Sequence, residues 1–363
     1  MTTCNQQPLR DKYLHKGTIP AYHTSKDMRV VDLVENFAAS GAFNAGRLAE
    51  ASKLFVRMAE DDATICLTLS GAMTPTGMGG ILLELIEAGL IDFIISTGAN
   101  VYHDLHFALD LPMHRGDFRA NDSELRQAKI YRIYDTYVTD EVLVETDKYL
   151  EAILNNGTGN DAISSAQLHY IIGKVTLEKA PHPERSFVAQ ASRLGVPIYT
   201  SSPGDSAIGL MLALLRLHGG RATVDPNLDV LETAAIIHGS KKNGVVSVGG
   251  GSPKNFYMQT QPMLEMAFRR PSKGHDYFVQ ITTDSPQWGG LSGATPQEAV
   301  SWGKVKGEKE EANNHVVVYC DATIAAPILM TYGLAKAAKR PSKRLYEKIP
   351  ELVAALKRDS KPL

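Results

Sequence analysis

The chain has little of what staples, spans or coats. Three cysteines occur in 363 residues, and Cys4, Cys66 and Cys320 stand apart, with neither zinc spacing nor an even-numbered disulfide framework. Isolated thiols of this kind suit a reducing cytoplasm, the location the sequence predicts. The opening MTTCNQQPLRDKYLHKG has no apolar core of signal-peptide length. No run approaches the roughly 20 uninterrupted apolar residues that cross a bilayer. Charge of one sign is missing as well: Lys plus Arg number 38 against 40 Asp plus Glu. That balance gives no electrostatic footprint for nucleic acid. The one basic run, KAAKRPSKR (Lys336 to Arg344), is expected to form a solvated C-terminal helix. Neither nucleic acid nor a membrane is an expected partner.

What is present is material for a large core, since 44% of the residues are hydrophobic. Six short runs are near-continuously apolar: Ala63 to Gly71, Leu90 to Gly98, Val196 to Ser202, Gly244 to Gly251, Tyr277 to Thr283 and His315 to Thr323. Strands of a parallel sheet covered on both faces read this way, whereas half-exposed strands alternate. Helical stretches lie between them, including Gly77 to Gly89, with a glycine suited to a C-cap, and Pro226 to Ser240, opening on proline. The repeated order of strand, glycine-rich turn and helix predicts a Rossmann-like, doubly wound α/β fold with a mostly parallel sheet and helices on both faces. Two amphipathic helices over Arg29 to Glu60 precede the first strand, and another over Ala326 to Arg340 follows the last. No linker divides the chain, so residues 1–363 read as one domain with a helical N-terminal extension over about 1–60. The loose segment Asn155 to Ser165 reads as a surface insertion.

Four loops at inferred strand ends combine small and polar residues: Ser70 to Gly80, Ser96 to Asn100, Ser201 to Gly209 and Val248 to Asn255. Ligands of a parallel sheet bind outside the carboxyl ends of its strands, where helix N-termini attract phosphate. None of the four matches G-x-G-x-x-G. His103, Asp104 and His106 suggest a metal site, but no third histidine recurs at a useful spacing, and metals need three or four convergent ligands. No metal is expected.

One of only two tryptophans stands two residues before a lysine in EAVSWGKV, Glu298 to Val305. A desolvated lysine has a lowered pKa and becomes a nucleophile; an ordinary solvated lysine is the alternative. The run Gly289 to Lys304, followed by VYCDATIAAPIL (Val318 to Leu329), resembles the C-terminal signature of deoxyhypusine synthases. VGGGSPKN resembles that family's glycine loop, STGANVYHDL its early cofactor loop, and SPGDS (Ser202 to Ser206) its acidic turn. The likeness runs in order from about Arg29 to Leu329.

The resemblance implies NAD-dependent transfer of an aminobutyl or related alkylamine group from spermidine to an acceptor amine, a protein lysine or a free diamine. Lys304 would be the catalytic residue, forming an imine, in a homotetramer. It places Glu298, Trp302, Asn255 and His103 at the amine. For NAD it implies Thr97, Gly98, Ala99, Asp205, Gly249, Gly251, Thr283, Asp284, Asp321 and Ala322. Asp205 and Asp321 have other readings, as turn former and helix N-cap. The pattern is also departed from. Asn255 replaces a histidine, Leu210, Trp288 and Leu291 replace acids that grip a polyamine, and Tyr102 and His103 replace two glutamates. Two further readings stand beside the first: a homospermidine synthase with putrescine as acceptor, and a catalytically silent relative that binds NAD or polyamine.

Overall fold

The computed structural model describes residues 7–15, 17–157, 162–307 and 314–362. Cys4 and residues 158–161 of the expected surface insertion lie outside them. All six apolar runs become strands of one sheet: β1 Thr64–Leu69, β2 Phe93–Ser96, β3 Ile198–Thr200, β4 Asn243–Val248, β5 Tyr277–Thr282 and β6 His315–Tyr319. The spatial order is β6-β5-β4-β1-β2-β3, and every pairing is parallel. The chain therefore winds outward from β1 in one direction, returns, and winds outward from β4 in the other. β1 and β4 meet at the switch point, where a doubly wound sheet opens a crevice.

Strand side chains alternate between two cores, as the two-residue pleat requires. Ile65, Leu67, Leu69, Val246, Val248, Val279 and Ile281 enter one core with Leu54, Phe55 and Met58 of the helix Phe43–Glu60 and Leu329 of the helix Ala322–Lys336. Cys66, Phe93, Val245 and Phe278 enter the other, with Ala234 of the helix Pro226–Gly239 and Tyr257 of the helix Gly251–Met258. Each fully buried side chain of this kind contributes about 1.5–3 kcal/mol. The two helices expected over Arg29 to Glu60 form as Val30–Ser40 and Phe43–Glu60, with the chain turning at Gly41, whose φ of 60° suits glycine. Among the described residues no helix is long and apolar enough to cross a membrane.

The basic run departs from expectation. The helix Ala322–Lys336 stops at its start, and residues 337–344 are non-helical before the helix Leu345–Asp359. Pro341 disfavours helix at the residue before it. Two of its cations, Arg340 and Lys343, are paired rather than solvated. The Arg340 guanidinium donates to Gly89 O at 2.8 and 2.9 Å, to Ala63 O at 3.0 Å and to Asp92 Oδ2 at 3.2 Å. Lys343 Nζ donates to Asp62 O and Ala63 O at 2.9 and 3.0 Å. Burial pushes the Asp92 carboxyl up, and Lys343 and Arg340 pull against it. The segment clasps the entry edges of β1 and β2.

Candidate active site

Above the carboxyl ends of the strands lies a cleft built at the switch point. Ser70 and Gly71 follow β1, Gly249 and Gly250 follow β4, Thr283 and Asp284 follow β5, and Asp321 and Ala322 follow β6; all line it. Gly250 N–H donates to Ser70 Oγ at 3.1 Å, which ties the two halves of the winding together. The helices Gly98–Ala108, Gly251–Met258 and Ala322–Lys336 all start at this edge, where their unpaired N–H groups favour anions. Gly249 and Gly251 have φ of 80° and 59°. A Cβ on Gly250 would lie 2.6 Å from Ser292 Cα, so only bare backbone fits the closest approach. Phosphates on helix N-termini and ribose hydroxyls on Asp284 or Asp321 are what this lining can hold, the chemistry of a dinucleotide.

Of the expected cofactor residues, Gly249, Thr283, Asp284, Asp321 and Ala322 line the cleft. Thr97 caps the helix Gly98–Ala108 and donates to Gly71 O at 2.6 Å, holding a lining residue. Gly98 leaves no room for a side chain, since a Cβ would fall 2.4 Å from Ser206 Oγ; Ala99 follows in the same first turn. Asp205 sits exposed in the turn before Ser206, its N–H on Ser202 O at 3.0 Å. Asp321 is also an N-cap, accepting from Thr323 N at 2.8 Å.

Beside this cleft is a pocket lined by Lys254, Asn255, Leu291, Glu298, Trp302 and Lys304, among others. The local sequence explains how it forms. Thr295 caps the helix Pro296–Ser301 by accepting from Glu298 N at 3.2 Å. Gly303, at φ 65°, closes the other end. Its N–H reaches Val300 O and that of Lys304 reaches Ala299 O, both at 3.0 Å, the Schellman pattern. This reversal folds Lys304 back toward the face that carries Glu298 and Trp302. Lys304 Nζ donates to Asn255 Oδ1 at 3.4 Å and lies 5.6 Å from the centre of the Trp302 ring. Burial lowers the Lys304 pKa, and Glu298 opposes the shift. An amine so placed has a cation-binding ring, a carboxylate and an amide around it.

His103 lies elsewhere. Its Nδ1 is 3.0 Å from His106 Nε2, and His106 Nδ1 is 2.8 Å from Thr146 Oγ1; His103 lines neither cleft. Tyr102 donates to Asp147 at 2.8 Å. Asp104, fully buried, accepts from Phe187 N and Val188 N at 3.1 Å and caps another helix. Leu210 and Trp288 are exposed, while Leu291 is exposed at the pocket itself.

Sequence reasoning passed over Lys254. It stands in the first turn of the helix Gly251–Met258, is 4% exposed, and donates to Ala294 O, Ser292 O and Gln280 Oε1 at 2.9, 3.3 and 3.4 Å. Burial pulls its pKa down to about 8, with Glu298 and Asp284 raising it and Lys304 lowering it further. The available signal was its place beside Asn255 in the glycine-loop motif.

The fold and the paired clefts define an α/β enzyme whose ligands meet at the carboxyl ends of a parallel sheet. Comparison with known proteins narrows this. The family model for deoxyhypusine synthase matches residues 32–333. A "Deoxyhypusine synthase-like protein" of Nostoc punctiforme is 44% identical over 344 residues, covering 92% of this chain and 87% of the relative. A Methanosarcina mazei protein named "Probable deoxyhypusine synthase 2" is 39% identical over 305 residues, covering 84% and 86%. A solved Entamoeba histolytica structure assigned to deoxyhypusine synthase has a TM-score of 0.59 at 16% identity, over 90% of this chain and 100% of that one, a likeness of fold. The chain belongs to the deoxyhypusine synthase family. Membership makes it a transferase, and aminobutyl transfer is the reaction that its family and relatives support.

Proposed function

We propose that the protein transfers an aminobutyl group from spermidine or a related amine to an acceptor amine, using NAD and an imine on Lys304. The observation that carries this reading is the half-buried Lys304 amine, held by Asn255 and Trp302 next to Glu298 and beside a dinucleotide-type cleft. The chemistry that NAD supplies when bound is reversible uptake of hydride from the carbon beside the donor's secondary nitrogen.

Lys304, once neutral, attacks the imine carbon of the oxidised donor through its Nζ lone pair. The new bond is from that carbon to Nζ; the bond broken is from the carbon to the donor's own imine nitrogen, the former secondary nitrogen, which takes up the two protons that Nζ gives up and leaves as a primary amine. The acceptor amine then displaces Lys304 in the same sense, and return of hydride completes a secondary amine. Glu298 pairs with the cationic end of the donor, and the Trp302 face receives an ammonium. Asn255, neutral, holds Nζ without adding charge that would keep it protonated.

Incubation with NAD and a panel of amines, quenched with borohydride, tests this. An alkylamine adduct on Lys304 is expected, and Lys304→Arg is expected to lose transfer while keeping NAD, since guanidinium stays protonated. Putrescine and a protein lysine as alternative acceptors separate a homospermidine synthase from a protein-modifying enzyme. Full turnover by Lys304→Arg would overturn the reading. The exposed Leu210, Leu214 and Leu217, on one helix, support assembly into an oligomer, which we propose is a homotetramer.

A further inference from the structure

The pocket that holds Lys304 is graded by depth. Leu291 and Trp302 are 49% and 64% exposed, and Glu298 is exposed as well, so these three form its mouth. Met258 and Phe278 line the same pocket at 4% and 1% exposed, and with Lys254, equally buried, they form its floor. Among the described residues of the lining, the one carboxylate, Glu298, is therefore at the mouth.

The floor is built from one helix and one strand. Met258 stands four positions after Lys254 and three after Asn255 on the helix Gly251–Met258, spacings that bring side chains onto one face. Asn255 Oδ1 accepts from Lys304 Nζ at 3.4 Å, so Met258 lies about one helical turn beyond the contact that holds the nucleophile. Phe278 of β5 belongs to the same buried apolar cluster as Met258. Lys254 sets a cation beside them. Its three donors go to Ala294 O, Ser292 O and Gln280 Oε1, which fixes it in place.

An amine entering this pocket meets opposite conditions at its two ends. An ammonium at the mouth has the Glu298 carboxylate and the Trp302 face. An ammonium on the floor would meet apolar side chains and a like charge, with no carboxylate to pair with, and an unpaired buried charge is strongly disfavoured. A methylene on the floor gains by leaving water.

We propose that Met258 is a specificity-determining residue: it closes the floor of the pocket and limits what lies there to a short, uncharged alkyl arm. The inference rests on the transfer reading given above and narrows its donor. The class it names is a diamine that carries a short uncharged alkyl group on one nitrogen. The aminobutyl half of such a donor keeps its ammonium at the mouth, and the alkyl half, which leaves, occupies the floor.

Calorimetric titration of the full-length protein with n-alkylamines, propyl to octyl, and with α,ω-diamines of the same chain lengths tests this. In the wild type each added methylene of a monoamine is expected to tighten binding about fourfold until the chain meets Met258, and no further beyond it. A diamine is expected to bind roughly tenfold more weakly, or worse, than the monoamine of equal length. Met258→Ala is expected to move the plateau to chains about two methylenes longer, and Met258→Leu, of similar volume, to leave it in place. Comparing monoamines with diamines needs no variant, so a Met258→Ala protein that fails to fold still leaves a result. Diamines that bind as tightly as monoamines would overturn the uncharged floor, and an unmoved plateau in folded Met258→Ala would overturn the role of Met258. Borohydride trapping with NAD and an N-alkylated diamine separates this inference from the transfer reading. A plateau that shifts without any adduct on Lys304 keeps Met258 and removes transfer. An adduct with an unmoved plateau does the reverse.

Discussion

Asn255 Oδ1 lies 3.4 Å from Lys304 Nζ, so the candidate nucleophile is held by a neutral acceptor. Burial lowers the Lys304 pKa, and attack needs the unprotonated amine, so the rate of adduct formation should climb with pH through a midpoint below the ordinary lysine value of about 10.4. Asn255→Asp would set a carboxylate against Nζ and move that rise up by about one unit. Glu298→Gln, which removes the charge that raises the Lys304 pKa, should move it down. A single-turnover trapping profile unchanged by Asn255→Asp would show that the contact does not tune the lysine.

Gly250→Ala should injure cofactor binding while leaving the fold. A Cβ there falls 2.6 and 2.8 Å from Ser292 Cα and Cβ, and backbone has to move. Overpacking of this kind costs about 1–3 kcal/mol, enough to weaken NAD roughly 5- to 100-fold if the loop relaxes away from the cleft. Gly80→Ala, which meets nothing within 4 Å, is the control. Calorimetric NAD titration that gives the same affinity for both would count against the placement.

Arg340→Ala should be among the more destabilising single changes. It strips the Asp92 carboxylate, only 1% exposed, of a cation, and it leaves the Gly89 and Ala63 carbonyls short of a donor. Breaking a buried pair from one side costs about 3–5 kcal/mol. Urea unfolding is the measurement, and a loss under about 1 kcal/mol would mean that Lys343 alone suffices.

Substrate choice should follow the replaced acids. With Leu291 at the pocket and Trp288 on the same exposed loop, one end of spermidine lacks a carboxylate. Weak spermidine use, or preference for an amine with a different far end, is expected in steady-state kinetics. Leu291→Asp should raise kcat/KM for spermidine by about fivefold, the worth of one partly exposed ion pair. Tight spermidine turnover in the wild type would contradict this.

Leu210, Leu214 and Leu217 recur on the helix Ala207–Leu217 at spacings that share a face, and they are 69%, 48% and 78% exposed. Light scattering should find a species larger than a monomer, and Leu214→Glu should reduce it. A fully active monomer would oppose the assembly reading.

Much of the fold was legible because a parallel sheet buried on both faces writes itself as unbroken apolar runs, and all six were found. The helix Gly98–Ala108 was harder. It buries residues around most of its girth, Asn100, Asp104 and His106 as well as Val101 and Leu105, and a helix buried on most sides, with polar residues among the buried ones, loses its apolar 3.6-residue stripe. Lys304 could be picked out because its motif is local, with the helix, its reversing glycine and the lysine within nine residues. Lys254 could not, since a lysine in a first helical turn reads as solvated and its acceptors come from Ser292 and Ala294. The basic run was misread for a related reason. Its partner Asp92 lies 248 positions away in the chain, and no local pattern announces a bond of that span.

That span has a consequence for biosynthesis. A ribosome making this chain completes Asp92 and β2 long before it reaches Arg340 and Lys343. Until they emerge, the edges of β1 and β2 hold a carboxylate bonded to Ile65 N but lacking its cations, and carbonyls that still await the Arg340 and Lys343 donors. The first half of the sheet therefore stays open and hydrated at its lower rim while the second half is translated. Closure of that rim is a late event set by the order of synthesis. Chaperones that shield unfinished sheet edges would find their binding window on this chain between the appearance of β2 and the arrival of Arg340.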